Sequence, residues 1–121
     1  MIRQSYKELL IWQKGIVLVD TVYDATDLFP KSELFGLTSQ CRRSAVSIPS
    51  NIAEGSQRVS DKEFSNFILI AKGSLAELET QMIIAQRRKL LLSEKEKILF
   101  GQIEELNKMI YSFYQKLIAA R

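Results

Sequence analysis

Apolar residues recur along most of this chain at alternating three- and four-residue steps, the period of an amphipathic helix. In the first segment Leu9, Trp12, Ile16, Val19 and Tyr23 form one such stripe, and a helix from about Tyr6 to Leu28 is expected. Ile11, Leu18 and Val22 widen its apolar sector to roughly 160° at 100° per residue, more than a surface helix usually carries. Leu10, Val17 and Leu28 lie on yet another side, so more of this helix is apolar than one bundle should bury, and self-association follows as an expectation.

Phe29 and Pro30 end the segment, because proline disfavours a helical conformation in the residue before it. Ser32 is the expected cap of a second helix, with Leu34, Leu37, Cys41, Ala45, Ile48 and Ile52 on its inner stripe. Pro49 interrupts that helix's hydrogen bonding, so a bend is expected there, with nearby polar side chains or water taking up the freed Ala45 carbonyl. Gly55 closes the pattern, and residues 54–60 read as a helix end and short connection. Ser60 with Glu63, and Ser93 with Glu96, fit the S-x-x-E capping box at the start of a third and a fourth helix. Phe64, Ile68, Ala71, Leu75, Leu78, Met82 and Ala85 make the third stripe, and Leu99, Ile103, Leu106, Ile110, Phe113 and Leu117 the fourth. Segments of 20 to 28 residues would span roughly 30 to 42 Å. Short connections force neighbours to run antiparallel, so the expected fold is all-α, an antiparallel up-down-up-down four-helix bundle formed as a single domain over residues 1–121.

Composition removes several kinds of chemistry. Histidine is absent and Cys41 is the lone cysteine, which excludes an internal disulfide and leaves no usual zinc set, so no metal or other cofactor is expected. Cys41 itself falls on the inner stripe, where it reads as a core residue rather than a reactive thiol. No apolar run approaches the length of a membrane span, and the N-terminus lacks the pattern of a secretory signal, so a cytoplasmic location is the default expectation. Glu54 and Glu77 could supply a pair of acids. No nucleophile elbow or glycine-rich phosphate loop accompanies them, and no catalytic residue or small-molecule substrate is assigned. Ser44, Asn51, Ser74, Glu77 and Gln81 flank the inner stripes, where the structural reading is that they satisfy one another or the backbone freed by Pro49.

Lysine and arginine exceed aspartate and glutamate by 17 to 14, a net charge of +3. The excess is unevenly placed. Residues 1–29 hold three basic residues against four acidic, whereas residues 30–59 hold four against two. Arg42 and Arg43 adjoin on the second helix, and Arg87, Arg88 and Lys89 cluster at the end of the third. Cations at a helix C-terminus complement its dipole without any ligand. Both clusters are nonetheless the candidate nucleic-acid contacts, since phosphate binding needs basic residues gathered on a surface.

The strings LTSQCRRSAVSIPSNIAEGS and EFSNFILIAKGSLAELETQ, with the opening YKELLIWQKG, resemble the four-helix bundle family named for proteins encoded within bacterial 23S ribosomal RNA intervening sequences. The resemblance covers nearly the whole chain. It implies a homopentameric barrel, and it extends to an accessory protein of diversity-generating retroelements that binds nucleic acid and a reverse transcriptase through basic surfaces. Arg42 and Arg43 match a basic position of the motif. The resulting expectation is an oligomeric, non-enzymatic binding module for RNA or a ribonucleoprotein, the alternative being a structural or protein-interaction scaffold.

Overall fold

The computed structural model describes residues 5–120. Its long helices are α1 (Leu10–Thr26), α2 (Ser39–Ser56), α3 (Asp61–Arg87) and α4 (Ser93–Ala119), and no strand occurs among the described residues. Each helix packs on its neighbours in sequence and α1 closes on α4. Contacts between α2 and α3 fall where numbers rise on one helix and fall on the other, as with Ser44 to Glu77 and Ser47 to Ser74. The same holds for Lys72 to Asn107 and Phe64 to Phe113 between α3 and α4. The helices therefore alternate in direction, and the fold is the expected four-helix bundle.

Every residue of the third stripe is buried, as are Leu99, Ile103, Leu106 and Ile110 of the fourth and Cys41, Ala45, Ile48 and Ile52 of the second. These side chains form one core cluster. Burial pushes the Cys41 thiol up to about 12, which keeps it protonated and inert and agrees with its core reading.

The first helix departs from expectation. A short 3-10 turn, Tyr6–Glu8, precedes α1, and Leu9 between them is extended. The fully buried positions are Ile11, Gly15, Leu18, Val22 and Ala25, while of the expected stripe Leu9, Trp12 and Val19 pack half-buried against the core and Ile16 and Tyr23 are exposed. Both sets have helical spacing, and the choice between them is steric. Gly15 lets α2 approach so closely that a Cβ placed there would lie 3.4 Å from the Cβ of Pro49. A bulky side chain in its place would hold the helices apart.

That contact also bears on Pro49. α2 runs from Ser39 to Ser56 without interruption at the proline, whose buried ring packs beside Gly15. The polar side chains expected to support a break are otherwise engaged. Ser44 donates to Glu77 Oε1 at 3.0 Å, and Asn51 Nδ2 donates to the Ser47 carbonyl at 2.8 Å and to Ser47 Oγ at 2.9 Å. Ser47 and Ser74 share a further bond of 2.9 Å, so a seam of small polar groups joins α2 to α3. Gln81 does not take part, and its Oε1 is buried without a hydrogen-bond partner among the described residues.

Two expected caps change. Ser32 lies in a 3-10 turn, Lys31–Glu33, that leads into a π-turn, Leu34–Thr38, so α2 starts seven residues later than the proposed cap. Gly36 interrupts the π-turn with φ −116° and ψ −112°, and the Glu33 carboxylate accepts from the Leu37 amide at 3.4 Å. Leu34 is consequently exposed rather than on the inner stripe. Ser93 is the first residue of α4 and Leu92 occupies the cap position, so the second capping box does not form. Ser60 does cap α3, accepting from the Glu63 amide at 3.2 Å, while its hydroxyl donates to Glu63 Oε2.

Candidate functional site

The two basic clusters meet different fates. Arg42 is half-buried against the end of α1: its Nε donates to Thr26 Oγ1 at 2.9 Å and a terminal nitrogen reaches Asp27 Oδ1 at 2.7 Å. Its guanidinium carbon lies 4.5 Å from the centre of the Tyr23 ring. The planar fork thus serves three partners in fixing α1 to α2, and its charge is largely offset by Asp27. Arg43, one step around the helix, is exposed and has no ion-pair partner among the described residues.

Arg87, Arg88 and Lys89 are all exposed, and none has an ion-pair partner among the described residues. They occupy the turn that ends α3. The Leu90 amide bonds the Ala85 carbonyl at 2.9 Å and the Lys89 amide bonds the Gln86 carbonyl at 3.0 Å, the paired bonds of a Schellman motif. The residue after the cap in this motif takes a left-handed conformation that glycine adopts most readily, yet the position holds Lys89, at φ 60°. The alternating helix directions bring this turn to the same end of the bundle as the α1–α2 connection, which carries Lys31. The first turns of α4 set Glu94 and Glu96 against Lys95 and Lys97, and the α1–α2 connection sets Asp27 and Glu33 against Lys31, so the positive charge of that end rests on the triplet.

The candidate acids do not converge. Glu77 lies level with Ser44, ten residues from Glu54 and so about 15 Å along α2. Glu54 instead pairs with Arg58 at 3.7 Å on its own helix. No group of three or more potential metal-ligating side chains occurs among the described residues, and no described helix is long and apolar enough to cross a membrane.

The displaced stripe of α1 forms a feature that the helical pattern did not identify. Trp12, Ile16 and Val19 with Val46, Pro49, Ser50 and Ala53 line one stretch of an apolar groove between α1 and α2, of about 270 Å³. Val46 also lines a second stretch of about 600 Å³, with Tyr23, Leu34, Phe35, Arg42 and Arg43. Phe35, at 95% exposure, stands at its far end. The excess apolar breadth of the first helix signalled an unburied face, and Leu10, Val17 and Leu28, expected outside the core, are exposed, but it did not say that Ile16 and Tyr23 would join them.

A model of the 23S rRNA-intervening sequence protein family matches residues 7–112. Among solved structures, the chain resembles a protein of unknown function from the S23 ribosomal protein family of Bacteroides thetaiotaomicron VPI-5482, with a TM-score of 0.79 and 24% identity over 87% of this chain and 98% of that one. That likeness concerns the fold. No functionally curated protein matches.

Proposed function

Because the chain belongs to the 23S rRNA-intervening sequence protein family, we propose that it is a self-associating, non-enzymatic module that binds RNA through the basic end of its bundle. The observation that carries this reading is the exposed triplet Arg87, Arg88 and Lys89, with Lys89 in a left-handed conformation where glycine would be easier. Backbone strain of this kind is concentrated at functional sites. A lysine there adds a third cation to two arginines, a suitable arrangement for phosphate neutralisation, which carries affinity and little sequence information. Arg42 contributes less than its place in the sequence suggests, since Asp27 already engages it.

Self-association suits a modest net charge. Copies assembled with their axes parallel would gather the triplets on one rim, where a polyanion spanning several copies meets a summed potential. The expected kinship with accessory proteins of diversity-generating retroelements points the same way.

The test is a titration of labelled RNA of several unrelated sequences at two salt concentrations, comparing wild type with a variant carrying Arg87→Ala, Arg88→Ala and Lys89→Gly. The variant should lose affinity for every sequence alike and show a salt slope shallower by up to about three phosphate contacts. Salt-independent or absent binding by wild type would overturn the RNA reading in favour of a protein-interaction scaffold.

A further inference from the structure

At the end of the bundle that carries the basic triplet, the α1–α2 connection surrounds a small polar pocket of about 200 Å³. Lys31, Thr38, Arg42 and Asp27 form its polar wall, with Phe29 and Leu34 on its apolar side. The buried polar residues among those described are Thr26, Thr38, Ser44, Ser56 and Ser65. Thr26 donates to the Val22 carbonyl, Ser44 to Glu77, Ser56 to the Ala53 carbonyl and Ser65 to the Lys62 carbonyl. Thr38 differs from these four. It is only 3% exposed, yet its hydroxyl has no hydrogen-bond partner among the described residues. A buried polar group left unpaired is costly, and one that borders a pocket is satisfied by what enters it.

Arg42 borders the same space. Thr26 holds its Nε, Asp27 holds one terminal nitrogen, and the Tyr23 ring lies against one face. A guanidinium has five N–H groups, so with one given to Thr26 and one to Asp27 three remain without a partner among the described residues. The group is fixed in place while it keeps free donors, which suits it to an oxyanion. Lys31 adds a second cation, exposed and without an ion-pair partner among the described residues. Asp27 opposes these two cations with one carboxylate, so the lining keeps one positive charge. Glu33 is outside the lining and accepts from the Leu37 amide.

A guanidinium, an ammonium and a hydroxyl thus border one space. A phosphate monoester presents three acceptor oxygens and a charge of about −1.5 to −2, and it matches three donors better than a phosphodiester within a strand, which has two free oxygens. Its four oxygens, each of about water size at ~30 Å³, fit the volume. We infer that this pocket binds the terminal phosphate of an RNA strand through Thr38 Oγ1, the free N–H groups of Arg42 and Lys31 Nζ. The inference rests on the RNA reading above and adds a preference for strand ends, which the exposed triplet by itself does not supply.

The probes are short, internally labelled RNAs of one sequence that carry a 5′-phosphate, a 3′-phosphate or neither, titrated by fluorescence anisotropy at one low salt concentration. Wild type should bind one of the phosphorylated forms at least about tenfold more tightly than the unphosphorylated strand, the effect of a hydrogen bond to a charged group. Thr38→Val removes the hydroxyl at nearly constant shape. It should lose most of that preference, keep the affinity for the unphosphorylated strand, and melt no lower than wild type, since no hydrogen bond within the chain is lost. Asp27→Asn keeps an oxygen for Arg42 but removes the competing charge, so it should strengthen the preference. Equal binding of all three RNAs by wild type, or an undiminished preference in Thr38→Val, would overturn the pocket and leave the RNA reading standing. Absence of any RNA binding by wild type would overturn that reading and this inference with it. A phosphoserine peptide that displaces the phosphorylated RNA as well as unlabelled phosphorylated RNA does would overturn RNA as the source of the phosphate. Should Thr38→Val fail to fold, Lys31→Ala, a change at an exposed side chain outside the long helices, takes its place and should reduce the preference in the same way; an undiminished preference there would overturn the pocket.

Discussion

Replacing Gly55 by alanine adds a single methyl group where α2 packs closely on α3. Its Cβ would lie 2.5 Å from the Cβ of Phe67 and 3.0 Å from Cδ1 of Phe64, whereas ordinary contact begins near 3.4 Å. The Phe64 ring can give a little, but the Cβ of Phe67 is fixed to the α3 backbone and cannot swing away. Relief therefore requires α2 and α3 to part by about 1 Å, enough to forfeit a quarter to a half of the dispersion energy of the contacts around Ile52, Phe64 and Ile68. Overpacking of this kind costs about 3 kcal/mol at its upper end. Alanine returns about 1 kcal/mol through its better helix propensity, which leaves a net loss of about 2 kcal/mol. Gly101 supplies the control, since it is an exposed glycine within α4 with nothing within 4 Å of its would-be Cβ. There the propensity term acts alone, and Gly101→Ala should stabilise by about 1 kcal/mol. Urea and thermal unfolding followed by far-UV circular dichroism at one fixed protein concentration would separate the two variants by about 3 kcal/mol. Each kcal/mol corresponds to a midpoint shift on the order of 4 °C for a chain of this size. A Gly55→Ala protein as stable as wild type would refute the steric argument and show that the α2–α3 crossing can open at no cost.

Lys89→Gly should stabilise the fold by about 1 kcal/mol in the same unfolding assay, because glycine takes the left-handed position without strain, while it weakens RNA binding at low salt. Cys41 couples folding to alkaline pH: its thiol rises from 9.0 to about 12 on burial, so the folded state keeps a proton that the unfolded state releases. The stability this provides is complete below pH 9 and declines as pH rises towards 12, and denaturant titrations of wild type against Cys41→Ala should show that decline in wild type alone.

The two later helices were legible residue by residue. The α3 stripe from Phe64 to Ala85 is buried throughout, because its alternating four- and three-residue steps run unbroken along the helix, which the exposed Leu69, Ile70, Ile83 and Ile84 do not match. Ser60 is a cap in the structure as in the sequence, since capping depends on residues within one turn. The S-x-x-E pattern at Ser93 failed because Leu92 already takes the extended conformation that a cap requires. The candidate site was legible only as residue types: both basic clusters stand out in the chain, but Arg42 was distinguished from Arg43 by Thr26, Asp27 and Tyr23, all on another helix.

The period of the apolar residues, the proline and glycine boundaries and the absence of histidine determined on their own an all-α bundle of four helices with a cysteine in its core, because these features act through neighbours on the same helix. Tertiary structure decided the rotation of α1. Two stripes of equal period compete on that helix, and the close approach of Pro49 to Gly15 suits the one that carries the glycine, leaving Trp12 and Val19 half-buried and Ile16 and Tyr23 exposed along the groove. Tertiary structure likewise carried α2 through its proline and tied the seam from Ser44 to Glu77, since each depends on contacts between helices that are distant in sequence.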